Sequence, residues 1–121
     1  MFKLDSRLYQ DTLFIASLTL CDALLMNDAR YPWVILVPRQ EGLTELYQLS
    51  EQEQQQLTVE SNSVAQKLAD LVSADKMNVA ALGNVVSQLH IHHVARYQQD
   101  ETWPDPVWGK GQAIRYSEKE Q

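Results

Sequence analysis

Apolar and polar residues alternate with different periods along the chain, and each change of period marks an element. Residues 4–11 set Leu4, Leu8 and Tyr9 at helical spacing among polar neighbours, which predicts a short N-terminal helix. Residues 12–16 and 20–26 then read as two strands around a Ser17-Leu18-Thr19 connection, an antiparallel hairpin. The stretch NDARYP breaks the pattern, and WVILV at 33–37 is a continuous apolar run of strand length, closed by Pro38, which has no N–H to give a ladder. It is expected to be a central strand. Ser50-Glu51-Gln52-Glu53 has the form of a capping box and starts a helix of about five turns. Leu57, Val64, Leu68, Leu71 and Val72 form its apolar stripe, with residues 52–56 and 60–63 facing water. Residues 77–81 and 89–95 supply two further strands, separated by the glycine-containing LGNVVSQ. From residue 98 onward Pro104, Pro106, Gly109 and Gly111 argue against regular structure, and the tail reads as an ordered loop anchored by Trp103 and Trp108.

These elements add up to an α+β domain: roughly five strands, mostly antiparallel, with one long and one short helix. At 121 residues the chain is one domain, with a core over about 4–98 and a tail over 99–121. Hydrophobic residues make up 45% of it, enough to outweigh the entropy of ordering. The formal charge of −6, with no cluster of Lys and Arg, repels nucleic acid more than it steers it. Cys21 has no intrachain partner and MFKLDSRLYQ lacks the form of an export signal, so a cytoplasmic location is expected. The longest apolar stretch, 18–26, falls short of the roughly 20 residues that span a bilayer, so no membrane partner is expected.

The chemistry concentrates in QLHIHHVAR, residues 88–96. On an extended strand Gln88, His90 and His92 share one face, and Leu89, Ile91 and His93 share the other. His93 is expected to be a structural residue. A zinc or iron site would need further ligands, and none stands at a suitable spacing: Cys21 is alone and Asp100 lies in the tail, so no metal and no cofactor are assigned. A neutral imidazole can instead attack phosphorus and leave again, given nearby donors for the phosphate oxygens. Gly83, Asn84 and Ser87 precede the strand, and Arg96 stands four residues after His92.

QLHIHHVAR, preceded by NVAALGNVV and, further upstream, by LLMND and ILVP, resembles the histidine triad family, whose signature is His-φ-His-φ-His-φ-φ. The likeness covers most of residues 12–98, and DETWPDPVWG resembles the tail of a bacterial branch of that family. It implies a nucleotide hydrolase or nucleotidyl transferase that cleaves at the α-phosphate of a purine nucleoside phosphate derivative through a nucleotidyl-histidine. Gln88 occupies the first histidine position, His90 the second and His92 the third, so His90 is the implied nucleophile, with His92 and Gln88 beside it. The same likeness places Asn27 or Asp28 at the ribose, Asn78 near the phosphate or leaving group, and Gly83 and Asn84 in the phosphate loop. It also implies a homodimer sharing the sheet edge and long helix. Two departures bear on activity. Gln88 cannot carry a proton's charge at neutral pH, and Val85 stands where many relatives have a hydroxyl, with Ser87 two positions on and not counted as a replacement. Losing one preorganised donor costs a factor of about 10² to 10³, so a binding module with little turnover is the competing expectation.

Overall fold

A computed structural model describes residues 2–117, so the last four residues of the expected tail lie outside the described residues. Helix α1 (Ser6–Asp11) is capped by Asp5, whose carboxylate accepts from the Arg7 amide, and it buries Leu8. Strand β1 (Thr12–Ser17) follows directly and pairs antiparallel with β2 (Cys21–Met26), with an irregular register between Phe14 and Ala16. Strand β3 (Trp33–Pro38) is buried along its whole length, as its unbroken apolar run requires, and keeps Pro38 as its last residue. Strands β4 (Lys76–Ala80) and β5 (Ile91–Arg96) complete one five-stranded sheet in the order β1-β2-β3-β5-β4, every pairing antiparallel. The α+β class, the strand number and the two helices agree with the sequence; β5 starts two residues later than expected.

Helix α2 (Glu51–Val72) begins at the predicted box: the Ser50 hydroxyl accepts from the Glu53 amide at 3.2 Å, and the Glu53 carboxylate accepts from the Ser50 amide at 3.0 Å. It runs 22 residues, about six turns, and ends on Ser73 in the left-handed region. Its expected polar face needs correction. Glu60 is buried, because the tight β1–β2 connection points the Leu20 and Cys21 amides at it, and its carboxylate accepts from them at 2.8 and 3.0 Å. Leu71, expected to be buried, is 82% exposed.

The sheet separates two cores. Behind it, against α2, lie Cys21, Ala23, Leu36, Leu57, Leu89 and Ile91. In front, Leu24, Trp33, Ile35, Val37 and Val94 are covered by α1, the N-terminal segment and the tail, through Leu8, Phe2, Leu4, Val107 and Trp108. An open apolar groove of about 750 Å³ runs between α2 and the first hairpin, with Ile15, Val59, Val64, Leu68 and Leu71 in its walls. It lies on the α2 side, away from His90 and His92. No described helix is long and apolar enough to cross a membrane.

Candidate active site

The period of two in β5 sorts the histidines as expected. His93 points to α2: its Nδ1 donates to the Val34 carbonyl at 3.2 Å and its Nε2 accepts from the Ser61 hydroxyl at 2.7 Å, with no exposure. Burial keeps this ring neutral, with its pKa pushed down despite the carbonyl. It ties sheet to helix, a structural part. His90 and His92 point to the front, with ring centroids 4.8 Å apart at 71°.

Each front histidine has one nitrogen committed. A carbonyl oxygen only accepts, so the 2.7 Å bond between His90 Nδ1 and the Gln88 carbonyl puts a proton on Nδ1, and in the neutral ring the free lone pair is then on Nε2. His92 Nδ1 lies 3.0 Å from Trp33 Nε1, an indole N–H that only donates. Trp33 and Trp108 wall the same ring at centroid distances of 5.6 and 5.3 Å. The His92 pKa is pushed down to about 3, first by burial and then by the neighbouring His90 and His93. The Trp108 indole N–H is itself buried and has no hydrogen-bond acceptor among the described residues.

His90 forms part of the wall of a cavity of about 260 Å³. Thr44, Tyr47, Leu82, Gly83 and Ser87 also line it. Gly83, in the loop between β4 and β5, sits at φ +80°, a conformation that a side chain rarely adopts. Asn84 and Val85 of this loop are exposed, Val85 by 76%. Ser87, discounted from the sequence, lines the cavity beside His90 and offers a hydroxyl there. Trp33 also went unrecognised: in a five-residue apolar run, only the register that sets it near His92 betrays its polar task.

Other expected site residues are engaged elsewhere. The Gln88 amide does not stand free beside a phosphate site; its Oε1 accepts from the Asp5 amide and its Nε2 donates to the Lys3 carbonyl, both at 2.8 Å. A histidine cannot reproduce this two-point match to a peptide segment. Arg96 is 1% exposed and spends its guanidinium on Asp100, on the Asn78 Oδ1 at 2.9 Å and on Thr102, so both Arg96 and Asn78 serve to bind the tail to the sheet. The Arg96 guanidinium also lies 5.7 Å from the Tyr31 and Trp103 ring centroids. Asn27 Oδ1 accepts from the Tyr116 amide at 2.8 Å. The Asp28 carboxylate accepts from the Arg30 guanidinium at 2.8 Å and from the Ile114 amide at 3.3 Å. Burial would raise the Asp28 pKa, but these donors outweigh it and hold the carboxyl below its usual range. Asn27 and Asp28 line a second cavity of about 290 Å³ with Met26, Trp33 and Trp108, so the ring cluster contributes walls to both. Among the described residues no group of three His, Cys, Asp or Glu side chains is placed to hold a metal ion.

The chain is similar to several solved structures over nearly its whole length. A histidine triad protein from Marinobacter aquaeolei VT8 is 52% identical, with a TM-score of 0.97 over 99% of this chain and 88% of that one. A histidine triad (HIT) protein from Sinorhizobium meliloti 1021 is 47% identical, with a TM-score of 0.96 over 98% and 88%. A histidine triad protein from Bradyrhizobium japonicum is 44% identical, with a TM-score of 0.96 over 98% and 89%. No curated protein matches the sequence. Residues 7–99 match the family described as HIT domain, and with that match and this fold the chain belongs to the HIT domain family.

Proposed function

We propose that this protein is a nucleotide hydrolase or nucleotidyl transferase that cleaves at the α-phosphate of purine nucleoside phosphate derivatives, with His90 as nucleophile. Membership of the HIT domain family supports nucleotide binding or a hydrolase or transferase function. The observation that carries the finer reading is the bond from His90 Nδ1 to the Gln88 carbonyl, which leaves Nε2 as the lone-pair nitrogen of a ring that walls a cavity. In the first step Nε2 bonds to the α-phosphorus and the leaving group departs with its electron pair, to be protonated by solvent. Water or an acceptor alcohol then adds to phosphorus and gives up its proton to solvent, the P–N bond breaks, and the imidazole recovers its lone pair. Gly83 and Ser87 supply close backbone approach and a hydroxyl for the phosphate oxygens, with Asn84 able to reach over the loop. At about 260 Å³ the cavity suits the phosphate end of a nucleotide, since whole-ligand sites run roughly 300–1,000 Å³. Asn27 and Asp28 border the neighbouring cavity, where the expected ribose contact shares their oxygens with the tail amides.

The competing reading is a nucleotide-binding module with little turnover, favoured by Gln88 being occupied with the N-terminal segment. Release of AMP from an adenosine phosphoramidate separates the two. Wild type should release AMP and His90→Ala should not, with Gln88→His as comparator. Equal inactivity of wild type and His90→Ala, with both still binding AMP, would establish the binding module. We also infer a homodimer in the cytoplasm, built on the edge strand β4, where Val79 is 51% exposed, and on the adjoining α2, where Leu71 stands out. Light scattering of Leu71→Glu against wild type tests it, and a monomeric wild type refutes it.

A further inference from the structure

The two front histidines carry their protons on opposite nitrogens. His90 donates through Nδ1 and keeps Nε2 bare; His92 accepts at Nδ1 and so must carry its proton on Nε2. We propose that Trp33 is a positioning residue that locks His92 in its Nε2–H tautomer, making it a fixed, neutral hydrogen-bond donor to a phosphate or leaving-group oxygen rather than a proton-carrying imidazolium. This rests on the proposed function for the identity of the acceptor, but the lock itself is a property of the protein alone.

The geometry enforces the lock. The Trp33–His92 bond is buried, and the indole has no lone pair to offer a second proton. Protonating Nδ1 would set two N–H groups against each other at 3.0 Å, so an imidazolium costs both the bond and a repulsive contact. Among the described residues nothing around the ring compensates. The titratable neighbours are His93 on β5 and His90 just before it; β3 presents Trp33, the tail presents Trp108, and β4 sets Ala80 opposite in register. None of these carries negative charge, and the ring is 5% exposed. Burial and the two other histidines hold it neutral far below physiological pH. The site therefore holds one imidazole nitrogen fixed to attack and another fixed to donate, and neither assignment needs a proton to move between the rings. Packing alone, the bland role of a tryptophan in a central strand, would require an apolar surface at this position but not an indole nitrogen 3.0 Å from the ring nitrogen.

Long-range ¹H–¹⁵N correlation spectra of nucleotide-free, ¹⁵N-histidine-labelled protein between pH 5 and 8 test the lock directly. The expected result is a His92 pattern of the Nε2–H tautomer, unchanged across this range. Trp33→Phe keeps an aromatic ring and removes the donor. In that variant His92 should become a mixture of its two neutral tautomers, while kcat for AMP release falls about tenfold or more and KM changes little. A wild-type His92 in the Nδ1–H form, or one that titrates near 6.5, overturns the proposal without need of any variant. So does an unchanged His92 pattern in Trp33→Phe. A locked His92 in a protein that releases no AMP leaves the tautomer assignment standing and removes the hydrolase reading, so the two failures are distinct.

Discussion

Replacing Asp100 by alanine should destabilise this protein more than any surface change. Asp100 binds Arg96 in two places, Nε to Oδ2 at 2.8 Å and Nη2 to Oδ1 at 3.0 Å, with the two side chains 1% and 5% exposed. It also accepts from the backbone amides of Tyr97, Thr102 and Trp103, folding the start of the tail around one carboxylate. Asp100→Ala leaves the Arg96 guanidinium buried with only Asn78 and Thr102 as partners, a situation that costs about 3–5 kcal/mol. Against a typical total of about 5–15 kcal/mol that is a large share, and it corresponds to a fall of roughly 10–20 °C in Tm for a domain of this size. The hydrogen bonds from Arg96, ahead of those from the three amides, hold the Asp100 carboxyl well below the usual carboxylate range. A folded-state pKa below the unfolded value of about 3.9 gives stabilisation that is complete above it and is lost as pH falls towards the folded value. Urea unfolding of wild type and Asp100→Ala should therefore show a gap of 3–5 kcal/mol at pH 7 that narrows below about pH 4. Restoring an apolar pair with Arg96→Met and Asp100→Leu should recover the part of the loss that comes from the unpaired charge, while the amides of Tyr97, Thr102 and Trp103 stay without their acceptor. A gap under about 1 kcal/mol at pH 7, or one that stays constant down to pH 3, would refute the account.

Gln88→Ala should release the N-terminal segment while leaving the sheet intact, since two hydrogen bonds worth about 0.5–1.5 kcal/mol each are lost. Hydrogen exchange at the Asp5 amide should quicken several-fold, and unchanged protection there would show that Phe2 and Leu4 hold the segment by themselves. Cys21 is fully buried, and its thiol is pushed far above the ordinary range, first by burial and then by the facing Glu60. Thiol-labelling reagents should react only at the rate of unfolding; fast labelling of native protein would contradict the buried placement.

What the sequence disclosed was whatever depends on neighbours along the chain. The capping box at Ser50, the all-apolar run of β3 and the alternation that separates His93 from its two neighbours are all local patterns, and each holds in three dimensions. What stayed hidden depends on partners far away in sequence. Gln88 meets the main chain 83 positions earlier, and Asn27 meets an amide 89 positions later. Glu60 is polar, on a helix, and still buried, because amides 40 and 39 positions upstream need an acceptor. Arg96 looked like a phosphate ligand because a cation near a histidine trio invites that reading; Asp100 and Thr102 stand only four and six positions on, but in a tail without a regular period nothing in the sequence shows that they close on it, and Asn78 comes from another strand. The nucleophile assignment drew on the family resemblance; the ring nitrogen available for it follows from one carbonyl that no spacing rule reveals.

The family match stops at residue 99, yet the strand-to-strand corner at Asn27 and Asp28 is finished by residues beyond it: the Ala29 amide bonds to the Ile114 carbonyl, and the Ile114 and Tyr116 amides return to Asp28 and Asn27. A shortened chain that ended at the apparent domain boundary would thus take the Tyr116 amide from Asn27, leave Asp28 with Arg30 as its donor, and uncover Trp33 by taking Val107 and Trp108 away. Protein engineers choosing where to cut this scaffold should treat the irregular last stretch as a keystone rather than as trimming.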